Sequence, residues 1–179
     1  VMNRLLDGGD PAGLPNLAAR TQAGLTPFGP PASANFPLGR YPSPYLEGLV
    51  RVDPKRSTYV ETVRGCRSHC TFCFYPRSSG TLRVLEVERC AELIRQLRDQ
   101  GAREVVFLDP TFNHRPDFEP LLEALARVNP DRSLSFFAEV RPERLTAAHA
   151  AALARAGFRR LELGLQSVNP ATLKRVRRG

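Results

Sequence analysis

The chain has 179 residues, of which 42% are hydrophobic, and this length suits a single domain with a tail. It lacks the roughly 18 consecutive apolar residues of a membrane-spanning helix and a secretory signal pattern, which favours a soluble cytoplasmic protein with reduced cysteines and no membrane partner. A net charge of +8 is compatible with a polyanionic partner such as tRNA, but nearly all the basic residues are Arg, so we favour a compositional bias and leave a nucleic-acid partner open.

The first 50 residues differ from the rest of the chain. Residues 1–50 are rich in Gly and Pro, as in Gly8-Gly9 and Pro30-Pro31, and their apolar residues show no strong periodicity. Such composition predicts a loop or linker.

From residue 57 onward, predicted strands and helices alternate. Thr58–Val63 is rich in β-branched and aromatic residues, which predicts a strand. The elements predicted after it are a helix over 85–100 ending at Gly101, a buried strand over 104–108, a helix from Pro116 to Val128, a strand over 134–139, a helix over 145–156 ending at Gly157, a strand over 160–164, and a last helix opened by Asn169-Pro170. This alternation predicts an α/β fold with a parallel sheet and right-handed crossovers.

Three cysteines lie within eight residues directly after the first predicted strand. Cys66, Cys70 and Cys73 are spaced so that their thiols can turn toward one point on a loop. An iron–sulfur cubane normally takes four Cys thiolates. Three ligands would leave one iron open to another molecule, which suits reductive chemistry on a bound cofactor.

Other readings of the cysteines stay open with less support. A structural zinc site usually takes four ligands in two pairs, whereas this chain has one Cys-x-x-Cys pair and one extra Cys, so a zinc-stabilised binding module is a weaker alternative. A non-catalytic iron–sulfur electron carrier would need four ligands per cubane. Cys90 lies on the apolar face of a predicted helix, and we interpret it as a core residue.

The Cys-x-x-x-Cys-x-x-Cys spacing, with Phe72 just before the third Cys, resembles the signature of the radical S-adenosylmethionine (SAM) superfamily. Residues 59–66, 107–113 and 162–167 are similar to its cobalamin-associated branch. The resemblance implies a partial (β/α) TIM-like barrel, truncated at the C-terminus, with about four of six strand–helix units present. Residues 1–50 would then be a linker after a missing upstream domain, expected to bind cobalamin, and residues 51–179 the N-terminal part of the radical SAM core.

The resemblance also implies an activity. Cys66, Cys70 and Cys73 would hold a [4Fe-4S] cluster, and SAM would be cleaved reductively to a 5′-deoxyadenosyl radical with electrons from a reductant such as flavodoxin or ferredoxin. The reaction implied is that of a cobalamin-dependent methyltransferase, with cobalamin bound by a domain outside this chain and an unknown substrate. A tRNA methylthiotransferase is the alternative enzyme. We expect this fragment alone to be incomplete as an enzyme.

The resemblance implies that several residues near the cysteines and at the end of the second strand contact SAM. Phe72 would pack on the adenine, although it could equally be a loop residue buried in the core. The backbone of Tyr75 lies where the family contacts the adenine. Asp109 lies where many relatives hold the SAM amino group with a Gly-Gly-Glu motif, from which Asp109-Pro110-Thr111 departs.

Later strand ends supply the remaining candidates. Glu139 is a candidate for a ribose hydroxyl, and Arg141 could pair with the SAM carboxylate through its forked guanidinium. For both, a salt bridge with a neighbouring loop is the alternative. Gln166, at the end of the fourth predicted strand, is a further cofactor-binding candidate. His114 and His149 are predicted to be surface residues rather than catalytic ones.

Overall fold

The structure is a computed structural model that describes residues 7–10, 14, 17–22, 24–27, 29, 37–75 and 81–178. The chain divides into two compact units, Val1–Asn35 and Phe36–Gly179. The first unit contains an antiparallel hairpin of β1 (Ala18–Thr21) and β2 (Gly24–Pro27), which the loop prediction for this region missed. The remainder of the predicted linker up to residue 36, including Pro30-Pro31, lies largely outside the described residues.

The second unit alternates strands and helices. In chain order its elements are β3 (Thr58–Val60), β4 (Val63–Arg64), β5 (Arg83–Val84), α1 (Val87–Asp99), β6 (Glu104–Phe107), α2 (Phe118–Val128), β7 (Ser135–Val140), α3 (Ala147–Ala156), β8 (Phe158–Leu163) and α4 (Pro170–Arg175). Short 3₁₀ turns lie at Leu38–Arg40, Phe112–His114 and Pro142–Arg144. No helix in the described ranges is both long enough and apolar enough to cross a bilayer.

Four parallel strands form the main sheet in the order β3–β6–β7–β8. One row of the sheet aligns Thr58 with Val105, Val105 with Phe136, and Phe136 with Phe158. Each of α1, α2 and α3 connects two neighbouring strands, so the spatial order follows the chain order, as in a (β/α) barrel. The predicted α/β fold, a partial TIM-like barrel with four strand–helix units, is therefore confirmed.

The core lies between this sheet and the three crossover helices. Along β7, Phe136, Ala138 and Val140 are buried on the helix side, while Phe137 and Glu139 alternate to the other face. Phe136 packs with a cluster of aromatic rings whose centroids lie 4.7–5.8 Å apart; its other members are Phe107, Phe112, Phe118 and Phe158. The helix side of the sheet is therefore closed by packing, and on the opposite face Glu139 of β7 is exposed among the described residues.

Glycines end two of the helices as predicted. Gly101 has a φ of +93°, and the last turn of α1 is closed by hydrogen bonds from Gly101 N–H to Arg98 O and from Ala102 N–H to Leu97 O. Gly157, with a φ of +110°, ends α3. Pro116, in contrast, lies before α2 rather than at its first position, because the helix begins at Phe118.

The first predicted strand ends earlier than its β-rich sequence indicates. β3 stops at Val60, and Val63–Arg64 pairs instead with Arg83–Val84 in a short antiparallel ladder. The backbone N–H groups of Thr62 and Val63 donate to the carboxylate of Asp109, so they are withdrawn from the main sheet. A tertiary hydrogen bond thus overrides the local strand preference and turns the chain into the segment that carries the cysteines.

Candidate functional site

The three cysteines lie on a loop, residues 65–75, that leaves β4 at the carboxyl end of the parallel sheet. Cys70 is buried, while Cys66 and Cys73 are half-buried. Cys73 N–H donates to Cys70 O at 3.1 Å, and Ser68 N–H donates to Cys66 Sγ at 3.4 Å. The Ser68 N–H group thus offers a hydrogen bond to the sulfur of a candidate ligand.

This loop does not form a site for a single metal ion. Among the residues that the structure describes, no three His, Cys, Asp or Glu side chains are arranged to hold one ion. In an iron–sulfur cubane each thiolate binds a different iron, so its ligands need not meet at one point. Three soft thiolates match the donor set of such a cluster.

The entry to the Cys loop requires glycine. Gly65 has a φ of +99°, and a Cβ there would lie 2.6 Å from Thr81 O. The two chain segments of the β4–β5 ladder therefore approach at a distance that only glycine allows. The Tyr75 hydroxyl accepts a hydrogen bond from Gly65 N–H at 3.4 Å, so Tyr75 closes the loop on its own starting point.

Asp109 fixes the approach to the Cys loop from the end of β6. It is 1% exposed, and its carboxylate accepts from Thr62 N–H at 2.6 Å, from Val63 N–H at 2.8 Å and from the Thr62 hydroxyl. Burial raises the pKa of Asp109 to about 6, although these hydrogen bonds and Arg115 oppose the shift. With its oxygens occupied and covered, Asp109 positions the loop and would have to break these bonds to contact a bound molecule.

Arg141 ties the end of β7 to the Cys loop. Its guanidinium donates to the Ser68 hydroxyl and pairs with Glu143, and its side chain is 5% exposed. Its backbone exchanges two hydrogen bonds of 2.9 Å with the side chain of Asn113. The salt bridge of Arg141 thus lies within the turn that follows β7, and its contact with the neighbouring Cys loop is the hydrogen bond to Ser68, between Cys66 and Cys70.

Other predicted site residues are spread around the same end of the sheet. Phe72 is 56% exposed, so the alternative in which it is buried in the core is wrong. Gln166 is exposed, with a φ of +60°. Thr71 N–H donates to Val176 O at 3.1 Å, which joins the Cys loop to the residue that follows α4. Cys66 Sγ lies 3.9 Å from Thr111 Oγ1, at the end of β6.

Two carboxylates lie side by side on the open face of the sheet. Glu139 on β7 is the register partner of Glu162 on β8, and Glu139 lies on the face away from the helices. Burial and the nearby Glu162 raise the pKa of Glu139. Leu108, on the same face, is 56% exposed. This face could therefore receive a ligand with hydroxyl donors beside an apolar surface.

Arg115, the most buried cation of the site, was not among the residues predicted from the sequence. The Arg115 side chain is 0% exposed and pairs with Asp117. It donates to the Thr62 hydroxyl at 3.2 Å and to Leu85 O at 2.7 Å. The sequence alone does not indicate that Arg115 is buried, because Arg is almost never fully buried unless it is paired. Only the closely following Asp117 could have suggested the pair.

The structure also places Cys90, His114 and His149, whose surroundings were predicted from the sequence. Cys90 is 0% exposed and donates to Leu85 O at 3.4 Å, and burial raises the pKa of its thiol to about 11, so its assignment to the core is confirmed. His114 was predicted to be a surface residue, but it is 7% exposed, because the turn that follows β6 folds it inward. His149 is partly exposed at the start of α3.

Residues 60–179 match the family described as the radical SAM superfamily. The chain belongs to this superfamily. It is 33% identical over 120 residues to the tRNA-2-methylthio-N(6)-dimethylallyladenosine synthase of Bdellovibrio bacteriovorus, which covers 64% of this chain and 25% of that relative. It is 29% identical over 147 residues to the enzyme of the same name from Chlorobium luteolum, covering 77% and 33%. The radical SAM chain thus spans between a quarter and a third of the length of these curated relatives.

A solved structure has the same fold. The radical SAM methyltransferase TsrM from Kitasatospora setae, with cobalamin and a [4Fe-4S] cluster bound, superposes with a TM-score of 0.74 at 21% identity. The match covers 96% of this chain and 36% of TsrM. A second structure of TsrM, with tryptophan and a SAM analogue bound, gives a TM-score of 0.73.

Proposed function

We propose that this chain is the cluster-binding and SAM-binding part of a radical SAM enzyme. The observation that carries the proposal is the Cys loop: Cys66, Cys70 and Cys73 follow the first strand of the parallel sheet, within the residues that match the superfamily. Asp109 and Arg141 hold this loop from the ends of the next two strands. Function in barrels of parallel strands collects at this end of the sheet.

The three thiolates would hold a [4Fe-4S] cluster. When bound, such a cluster supplies the electron for reductive cleavage of SAM at its open iron. The chain contributes a partly covered loop, an N–H group aimed at Cys66 Sγ and the Arg141 guanidinium beside Ser68. Hydrogen bonds to the sulfurs and the local charge are among the features that tune such a cluster. The reductant would be a flavodoxin or ferredoxin.

We assign the SAM contacts to residues near the carboxyl end of the sheet, of which Arg141 would exchange its contacts with Ser68 and Glu143 for the ligand. Glu139 would accept from the ribose hydroxyls, Arg141 would pair with the carboxylate, and Phe72 would pack on the adenine. The backbone of Tyr75 and the side chain of Gln166 complete the proposed set. Asp109, whose oxygens are already bonded, takes a positioning role.

The first candidate reaction is cobalamin-dependent methylation. Its support is the likeness to TsrM, which extends over 96% of this chain and therefore beyond residues 60–179. In this form residues 1–50 are a linker that follows a cobalamin-binding domain, and residues 51–179 are the beginning of the radical SAM core. Cobalamin would be bound outside this chain.

The second candidate reaction is methylthiolation of tRNA. Its support is sequence identity of 33% and 29% to two synthases of that name, over 64% and 77% of this chain. The net charge of +8 also suits a polyanionic substrate. This candidate predicts a second cluster in an additional domain, whereas the first predicts cobalamin there.

The cluster proposal is tested by anaerobic reconstitution with iron and sulfide. We expect about four irons per chain and an EPR signal of the reduced protein that changes when SAM is added. Replacing Cys66, Cys70 or Cys73 with Ala, one at a time, should abolish this signal. Cys90→Ala is the matched control, because that thiol lies in the core. Zinc without iron, or a cluster that requires Cys90, would refute the proposal.

The two reactions are separated in the full-length protein. Cobalamin absorbance with about four irons per chain would favour methylation, and about eight irons without cobalamin would favour methylthiolation.

A further inference from the structure

A groove at the carboxyl end of the sheet is surrounded by arginines that the proposed SAM contacts do not use. It consists of two adjoining cavities of about 650 Å³ and 710 Å³. Both cavities are lined by Arg67, His114, Glu143 and Arg144. The second is also lined by Arg177 and by Arg141, the proposed partner of the SAM carboxylate. We call this feature, defined by Arg67, His114, Arg144 and Arg177, the arginine groove.

The carboxylates beside the groove are already paired. Glu143 pairs with Arg141, and Glu119 accepts from or pairs with His149 Nε2 at 2.9 Å. The salt bridge with Arg141 neutralises Glu143, which lines both cavities, while Glu119 lines only the first.

The arginines of the groove are not neutralised in the same way. Arg67, Arg144 and Arg177 are exposed, and none of them forms an ion pair with a carboxylate among the described residues. Three guanidinium groups around one groove, with no acidic partner, repel one another. An anion that binds between them would relieve this repulsion.

His114 lies among the arginines of the groove. It lines both cavities, is 7% exposed, and its Nδ1 atom has no hydrogen-bond partner within the described part of the chain. Burial lowers the pKa of His114 to about 4, and the nearby Arg141 and Arg144 add to this effect. The imidazole is therefore neutral at pH 7 and adds a buried polar group without charge.

The N-terminus of α2 opens into the same groove. Phe118, Glu119 and Pro120, in its first turn, line the 650 Å³ cavity. The Asp117 side chain does not cap the helix, because Arg115 holds its carboxylate. Phe118 and Glu119 carry backbone N–H groups here, whereas Pro120 has none; these N–H groups and the helix dipole favour an anion.

We propose that the arginine groove binds phosphate groups of a nucleotide or of an RNA backbone. Phosphate suits it better than a single carboxylate, because three arginines can offer several forked pairs of donors and balance more than one negative charge. The combined cavities have room for more than one such group. The assignment does not depend on the iron–sulfur cluster; in its RNA form it rests on the second candidate reaction.

The test compares two triple variants of the reconstituted chain. Arg67→Gln, Arg144→Gln and Arg177→Gln remove three charges from the groove. Arg89→Gln, Arg127→Gln and Arg155→Gln remove three exposed charges from α1, α2 and α3 and serve as the matched control. Iron content and circular dichroism of both variants establish that cluster and fold are intact, so a failure of the cluster proposal is detected separately.

Binding is measured by two arms. Fluorescence anisotropy follows a labelled single-stranded RNA of about 20 nucleotides at roughly 50 to 200 mM salt, and calorimetry follows inorganic phosphate and AMP. If RNA is the ligand, the groove variant should bind about tenfold more weakly and its salt dependence should decrease by about two units in the log–log slope, while the control changes much less. If a small phosphorylated ligand is bound, phosphate and AMP should bind to the wild type and not to the groove variant, and RNA should not compete.

Three results would overturn the inference. The first is that neither RNA, phosphate nor AMP binds. The second is that the control variant weakens binding as much as the groove variant, which would indicate a response to net charge alone. The third is that saturating SAM displaces the phosphate ligand, which would make the groove part of the SAM site.

Discussion

The buried carboxyl group of Asp109 should make the stability of the fold depend on pH. Asp109 is 1% exposed and accepts three hydrogen bonds from Thr62 and Val63. Asn at this position keeps an oxygen that can accept from the two backbone N–H groups, but it cannot ionise. Asp109→Asn therefore removes the titration while preserving most of the contacts.

The magnitude follows from the pKa of the folded state. Burial raises the pKa of Asp109 from 3.8 to about 6. Because this pKa is raised, the contribution of Asp109 to stability is fully present below the unfolded pKa and is lost as the pH rises through about 6. A shift of about two units corresponds to a loss of about 3 kcal/mol between roughly pH 4 and pH 7.

The assay is urea denaturation of the cluster-free chain, followed by circular dichroism at several pH values. The free energy of unfolding of the wild type minus that of Asp109→Asn should fall by about 3 kcal/mol over this range, because other titrating groups contribute equally to both proteins. A difference that stays constant with pH, or one that increases, would refute the account of Asp109 as a buried carboxyl.

Asp109→Ala separates the hydrogen bonds from the charge. It leaves the N–H groups of Thr62 and Val63 buried without a partner, and each such group costs about 1–3 kcal/mol. We expect lower stability at every pH and less iron after reconstitution, because these two residues lead into the Cys loop. Full iron content in Asp109→Ala would show that the loop does not depend on this anchor.

Four other substitutions test the scaffold. Gly65→Ala should reduce both stability and iron content, because the φ of Gly65 is +99° and a Cβ there would lie 2.6 Å from a backbone oxygen. Gly101→Ala is the control: its φ is +93° with open space around it, so it should cost about 1 kcal/mol in urea titrations and keep its iron. Equal effects of the two substitutions would contradict this. Asn129→Ala should lower the free energy of unfolding by roughly 3 kcal/mol, because Asn129 is fully buried and its side chain makes three hydrogen bonds; a loss below about 1 kcal/mol would count against it. Cys90→Ala should keep both the iron stoichiometry and the response of the EPR signal to SAM, because a buried thiol with a pKa near 11 is a poor ligand.

The regular part of the fold was predictable because its signals are local. Helix ends at Gly101 and Gly157 follow from glycines in the left-handed region, and Asn169 caps α4 through hydrogen bonds to two backbone N–H groups, as the Asn-Pro pair predicts. The buried strand Glu104–Phe107 follows from its continuous apolar run. Each of these features is decided by residues within about one helical turn.

The parts that sequence did not predict depend on distant partners. Val63 reads as a continuation of the first strand, yet its N–H donates to Asp109, 46 residues away, and the strand breaks there. Arg141 reaches Ser68 across 73 residues of sequence. Arg115 is buried because Thr62 and Leu85 converge on it from separate segments. No periodicity or propensity encodes such pairings, so the motif of three cysteines could be recognised while its anchors could not.

These anchors explain why the Cys loop depends on the whole sheet. The end of β6 contributes Asp109, the end of β7 contributes Arg141, and the segment after α4 contributes the carbonyl of Val176. Each successive strand–helix unit thus adds one contact that limits where the loop can move. The precision with which the loop places its three thiols therefore comes from the parallel order of the strands, since the nine residues from Gly65 to Cys73 alone contain none of these partners.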